Sequence, residues 1–187
     1  MVCTKNILFC LYPLLMFFSV LSNVVDAKSV QPLRVGLLPD DNAKVILQRF
    51  EPVRKALEIT INRPVIVTIP SLDKESSYSD LIDEFVKGNI DLAYLGGFSY
   101  LKAANRFATY PIAMRKKDTT FRSYFIASPS KNVVSLTDLK GLKFTFGSSG
   151  STSGHLMPRY FLNENNINPL TDFNGKAKFS GAHHKTL

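Results

Sequence analysis

The chain is expected to be an α/β protein with a mainly parallel sheet. Three observations carry that expectation. Short apolar runs rich in β-branched residues alternate with longer stretches whose apolar residues recur at helical spacing. Pro, Gly and Asn/Asp clusters separate the two kinds of segment. The central runs lack in–out alternation, so they read as strands buried on both faces.

Leu33-Arg-Val-Gly-Leu-Leu-Pro39 reads as the first strand, ending in a Pro-Asp-Asp-Asn turn. Ala43 to Glu58 follows as a helix with Ile46, Phe50, Val53 and Leu57 on one face, and Pro52 is expected to kink it. Pro64-Val-Ile-Val-Thr-Ile-Pro70 is the second strand and Ser71 to Ser77 a polar loop. Tyr78 to Lys87 is the second helix, with Leu81, Ile82 and Phe85 inward. Ile90 to Leu95 is a third strand, broken by Gly96-Gly97, and Phe98 to Arg106 a third helix. Loops 39–42, 71–78 and 95–99 all leave the carboxyl ends of strands, where α/β sheets bind ligands.

Ala108 to Arg115 and Arg122 to Ser128 read as two extended segments around a polar turn at Lys116–Thr119. A short helix over Ser135–Leu142 opens a second α/β unit. A strand ending at Phe146, a turn, a helix to Asn165 and a short strand over Lys176–Ser180 continue it. Residues 181–187 would enter one more helix. One or two strands with one long helix cannot cover both faces of a sheet, so a closed second unit needs more chain than this.

Ahead of these elements, residues 1–27 read as a secretory signal peptide: Lys5, an apolar run from Ile7 to Leu21, then Val25-Asp26-Ala27 with small residues for cleavage. An N-terminal anchor helix is the alternative, and Cys3 and Cys10 lie in the wrong place for a lipoprotein. Both cysteines leave with the signal, so the mature chain has neither a disulfide nor a Cys metal site. The net charge of +8 survives processing because Lys5 and Asp26 cancel. The basic residues are scattered and no nucleic-acid motif accompanies them, so nucleic acid is excluded as a partner. The charge suits solubility and the steering of anions.

The run Gly147-Ser-Ser-Gly-Ser-Thr-Ser-Gly-His155 is the richest motif. Lying between a strand and a helix, it gathers backbone N–H groups and hydroxyls at the positive end of a helix dipole, which suits an oxyanion. A plain N-cap accounts for the same residues. A P-loop does not, because no Lys follows the second Gly. A nucleophile elbow fits the Gly150–Gly154 frame only with Thr152 in the nucleophile position and Ser151 and Ser153 off-register. Tyr94, inside an apolar strand, suits a core position, and Tyr78 a surface helix start. His183 and His184 suit a solvated pair; as metal ligands they lack a third partner.

The order and spacing of several segments resemble the substrate-binding proteins of phosphate/phosphite/phosphonate ABC transporters, the PhnD-like family. These are Arg49-Phe-Glu-Pro-Val53, Tyr78-Ser-Asp-Leu-Ile82, Ile90 to Tyr100, Asp138 to Gly147, Ser151 to Tyr160 and Phe179-Ser-Gly-Ala-His183, so the likeness runs from about Leu33 onward. The resemblance implies a type II periplasmic-binding fold. Its two lobes close on a ligand: a first lobe over 28–127 and an incomplete second lobe over 128–187. It implies a periplasmic, non-enzymatic protein without cofactor or metal, which captures phosphonate, phosphite or phosphate for an inner-membrane permease. It assigns ligand contacts to Tyr78, Tyr94, Ser151, Thr152, Ser153, Gly154 and His183. Leu95 departs from the pattern, since some members have an aromatic there. Acidic groups that would grip an aminophosphonate's amine belong to the part of the second lobe not covered. A chain of this extent is expected to expose core and to melt poorly. The alternative roles are a ligand-sensing module and, further off, a hydrolase using Ser151 or Ser153.

Overall fold

A computed structural model of the chain describes residues 30–70 and 77–186. Residues 1–27, read above as a signal peptide, and most of the 71–77 loop lie outside the described residues. Three parallel strands form the first sheet: β1 (Leu33–Leu37) at its centre, β2 (Val65–Thr68) on one side and β3 (Leu92–Tyr94) on the other. Val35 faces Val67 across one ladder and Leu92 across the other. Helices α1 (Ala43–Ile61), α2 (Ser77–Val86) and α3 (Gly97–Ala104) complete this unit.

The apolar second half of β1 is buried, while Arg34 at its start pairs with Asp91 at 2.6 Å. Val35 and Leu37 pack with Ile46, Val65, Phe50 and Leu57 in one cluster. Leu38 packs with Tyr78, Leu81 and Ile90 in another. Gly36 is required between them: a Cβ there would sit 2.5 Å from Leu81 Cδ1 and 2.7 Å from Ile90 Cδ1.

Helix α1 starts where Asn42 Oδ1 accepts the Lys44 N–H at 3.0 Å. It runs through Pro52 and past Glu58 to Ile61. It ends as Asn62 turns left-handed (φ 49°), with Pro64 disfavouring helix at Arg63. Val53, assigned to the inner face by periodicity, faces solvent.

The second unit is sparser than its sequence pattern. Strands β4 (Thr145–Phe146) and β5 (Lys178–Phe179) pair in parallel, with Phe146 opposite Phe179. Both are shorter than the apolar runs that contain them. The expected helix over 135–142 is a single 3₁₀ turn, Leu136–Leu139, held by a Ser135–Asp138 capping box. The extended segments around residues 108–128 form no strand and flank a 3₁₀ turn at Lys116–Thr120. Tyr110, Ile112, Met114, Tyr124 and Ile126 are all more than two-thirds exposed. Extended backbone becomes a strand only with a partner ladder. Helix α4 (Met157–Glu164) closes the unit over Leu139, Phe146, Leu162, Ile167 and Phe173. Among the described residues no helix is long and apolar enough to cross a membrane.

Candidate functional site

The Gly/Ser run is more than a plain cap. Strand β4 delivers Phe146 into the core, and Gly147 N–H donates to Gly154 C=O at 2.7 Å, folding the run back on itself. Ser148, buried, accepts the Gly150 N–H at 3.3 Å, and its C=O takes the Ser151 N–H at 2.9 Å. Ser151 Oγ accepts the Gly154 N–H at 3.0 Å as an N-cap. The helix then opens with a π-turn, Thr152–Leu156, that passes directly into α4. Among the described residues the N–H groups of Thr152 and Ser153 have no protein acceptor. They lie on the first turn, at the positive end of the dipole.

Gly147 and Gly154 are needed because their backbones touch. A Cβ on Gly154 would lie 3.2 Å from Gly147 Cα, 3.1 Å from Ser151 Oγ and 3.3 Å from His183 Cε1. The His183 imidazole therefore lies against the turn, as the assignment of both residues to one site requires.

The turn also bridges the two units. The Phe98 N–H at the start of α3 donates to Thr152 Oγ1 at 2.8 Å. Ser99 Oγ, fully buried, donates to Gly150 C=O at 3.0 Å. Tyr78 is 3% exposed, so it is not a surface helix start. Its ring packs on Gly150 and its phenol meets the Ser151 hydroxyl. Burial, reinforced by the Asp40 charge, pushes the phenol's pKa up, so Tyr78 stays a neutral donor. From the 183–185 turn, the His183 N–H donates to the Asp40 C=O at 3.2 Å.

Tyr94 lies at the carboxyl end of β3 with 41% of its surface exposed, outside the core that its strand context suggested. Phe50 tilts against it at 6.4 Å, and the Arg115 guanidinium lies 5.4 Å from its ring centre. Ser153 is half-buried on the π-turn. Thus Tyr78, Ser151, Thr152, Gly154 and His183 come together around one turn. Tyr94 stands apart from them; burial raises the pKa of its phenol, partly offset by the nearby Arg115. His184 points elsewhere, 3.9 Å from Asp41. No group of three metal-ligating side chains exists among the described residues.

Sequence reasoning missed Ser99, Ser148, Asp40 and His155. The first three lie in segments already marked, the Gly-Gly-Phe-Ser start of α3, the Gly/Ser run and the loop after β1, so the rim argument could have reached them. His155 ends the same run, but the Gly/Ser pattern does not mark a buried ring. Its Nδ1 pairs with Ser149 C=O at 2.9 Å, while its buried Nε2 has no partner. Phe146, Phe179 and Phe98 surround the ring with centroids at 5.1, 4.8 and 6.3 Å. Burial lowers its basicity, aided by Arg159 and Lys102, so it is held neutral. The unfolded chain binds that proton more readily. Stability should therefore fall as pH drops below about 6.5, the ordinary His value. A pH series of thermal melts checks this, and His155→Phe should flatten the slope.

Fold and site together define a two-unit α/β binding protein whose units meet over the 147–154 turn. The chain belongs to the family of ABC transporter phosphonate periplasmic substrate-binding proteins, whose model matches residues 35–187. Members of this family are substrate-binding proteins, not enzymes. The chain is 36% identical over 180 residues to the probable ABC transporter phosphite binding protein PhnD1 of Prochlorococcus marinus (strain MIT 9301), covering 92% of this chain and 58% of the relative. It is 28% identical to the phosphate-import protein PhnD of Mycolicibacterium smegmatis, over 73% of this chain and 43% of that one. The crystal structure of P. marinus PhnD1 with methylphosphonate superposes with a TM-score of 0.64 at 34% identity, over 82% of this chain and 57% of that one. A binding protein component of a Pseudomonas aeruginosa ABC phosphonate transporter shares the fold, with a TM-score of 0.63 at 23% identity over 82% and 52% of the two chains. The type II periplasmic-binding fold with an incomplete second lobe is therefore correct. The chain thus spans between 43% and 58% of the length of these relatives.

Proposed function

We propose that the chain is the anion-capturing part of a periplasmic solute-binding protein for phosphite, phosphonate or phosphate, which delivers its ligand to an ABC permease. The observation that carries this is the turn at 147–154. N–H groups of Thr152 and Ser153 without a protein acceptor, the Thr152 hydroxyl and the His183 ring lie there, with Tyr78 packed on Gly150. Hydroxyls and N–H groups hold the three oxygens of a phosphonate without a buried counter-charge that would slow release. Residues 28–127 form the first lobe and 128–187 the covered part of the second. Residues 1–27 are the export signal that takes the chain to the periplasm. The similar PhnD1 crystallised with methylphosphonate supports this ligand class. The hydrolase reading gains no support: Ser151 Oγ is engaged as the helix cap and Thr152 Oγ1 accepts the Phe98 N–H.

Thermal melts against methylphosphonate, aminoethylphosphonate, phosphite, phosphate and sulfate test the reading, because a ligand of the folded state must raise Tm. A selective rise is expected; no rise with any of the five overturns it. Thr152→Ala and Ser153→Ala should each weaken binding by about 1.5–3 kcal/mol, the loss of one hydrogen bond to a charged group. Unchanged affinity in both removes the turn from the site.

A further inference from the structure

His155 ends the Gly/Ser run and belongs to none of the ligand contacts assigned above. Its Nδ1 lies 2.9 Å from the Ser149 C=O. A carbonyl oxygen only accepts, so Nδ1 carries the hydrogen, and Nε2 of the neutral ring is a bare lone pair. That Nε2 is buried with no protein partner among the described residues. The Ser149 bond ties the end of the run to its middle. Together with the Gly147–Gly154 and Ser148–Ser151 bonds, it fixes the backbone that presents the Thr152 and Ser153 N–H groups.

The same ring sits at the joint between the units. Phe146 on β4 and Phe179 on β5 meet it edge-on at 5.1 and 4.8 Å. Phe98 on α3, in the first unit, meets it at 6.3 Å. Phe98 also donates its N–H to Thr152 Oγ1 at 2.8 Å, so one residue of the first unit holds the turn by backbone and ring at once. The residues that β4 and β5 turn toward the imidazole are the phenylalanines, and the two charged groups that face it are both positive. Lys102 comes from α3, its ammonium 4.4 Å from the Phe98 ring centre, and Arg159 from α4, its guanidinium 5.8 Å from that of Phe146. A second ring proton has to go on Nε2, within a shell of phenylalanines, without a protein acceptor and beside two cations.

We propose that His155 is a positioning residue and an acid-sensitive latch for the oxyanion site: its Nδ1–H fixes the turn at Ser149 and its neutral ring seats the turn against Phe98, so that protonation loosens the joint and releases the anion. The inference rests on the oxyanion-binding reading above. Ligand and proton then compete through one imidazole. The bound state holds the neutral ring, so affinity is full above the imidazole pKa of the ligand-free chain and falls as pH drops through it. By reciprocity, ligand must lower that pKa. An anion acting on the ring by its charge alone would raise it.

Methylphosphonate titrations of the chain and of His155→Phe from pH 7.5 down to pH 5, with imidazole nitrogen NMR spectra of the unaltered chain, test this. Taking the ratio of the two affinities at each pH cancels the ligand's own titration. At pH 7.5 His155→Phe keeps a ring in place but lacks the Ser149 bond, and should bind about threefold to tenfold more weakly. That gap should close by at least about threefold toward pH 5, because only the unaltered chain carries the titrating latch. The spectra should show the Nδ1–H tautomer, and saturating methylphosphonate should move the His155 titration to lower pH. Equal affinities at pH 7.5 overturn the positioning role. Parallel pH slopes, an Nε2–H tautomer, or a His155 titration that ligand leaves in place or moves upward overturn the latch, and methylphosphonate binding still stands. No binding of methylphosphonate by the unaltered chain at pH 7.5 overturns both readings. Should His155→Phe fail to fold, the ligand-linked titration of the unaltered chain decides alone.

Discussion

Phe146→Ala is expected to destabilise the chain by about 3–5 kcal/mol, the usual cost of removing a buried aromatic ring. Phe146 is 2% exposed and is the hinge pin of the second unit. It stacks on Phe179 at 5.5 Å, meets Phe144 edge-on at 4.9 Å and His155 at 5.1 Å, and lies under Arg159 at 5.8 Å. The β4–β5 ladder is only two residues long, so side-chain packing and not backbone pairing fixes β5 beside β4. Gly147 follows Phe146 directly, and collapse into the cavity would drag the anion turn with it. Oxyanion affinity should therefore fall together with stability. Phe146→Leu keeps much of the volume and should cost far less. Urea unfolding of the two variants checks this. A loss below about 1 kcal/mol for Phe146→Ala would mean that β5 is held by something else.

What the sequence made legible divides along physical lines. The first unit was readable because its central strand is buried from Val35 onward, although β2 and β3 are only partly buried, with Ile66 half exposed. Val35, Leu37 and Val65 have to be apolar, and their helices show clean periodicity through Ile46, Leu81 and Ile82. Boundaries moved where local chemistry outweighed pattern, as when α1 ran on to Ile61 until Asn62 and Pro64 stopped it. The segments around Tyr110 and Tyr124 have strand composition without a strand, because a ladder requires a partner that composition cannot display. At the site, the turn was legible because Gly147, Gly150 and Gly154 mark contacts where a Cβ cannot fit. Tyr94 was ambiguous, since half-burial at a strand end and full burial inside it use the same residue type. Asp40 and Ser99 lie in segments the rim argument marks, but their partners do not show, because the contacts join residues 51 to 143 positions apart; the burial of His155 depends on a shell of phenylalanines from three elements.

Gly150→Val should abolish tight oxyanion binding while leaving each unit folded. The Cβ alone would lie 2.8 Å from Tyr78 Cβ and 3.1 Å from Tyr78 Cδ1, and Tyr78 cannot retreat because Leu38, Leu81 and Ile90 pack behind it. Two further methyl groups make the overlap irreparable without separating the turn from α2. Gly150 C=O is also the acceptor for buried Ser99, so separation leaves that hydroxyl unpaired as well. These contacts run between the units and not within either, so the clash falls on the joint between them. If ligand capture needs that joint, a substitution that penalises it lowers affinity by the full penalty and barely alters the stability of either unit alone. Overpacking of this severity costs about 3 kcal/mol, on the order of a hundredfold in Kd. Titration with methylphosphonate measures the loss, and a urea melt without ligand measures what remains of each unit. If binding persisted within about tenfold of the unaltered chain, closure of the turn onto Tyr78 would not be part of ligand capture.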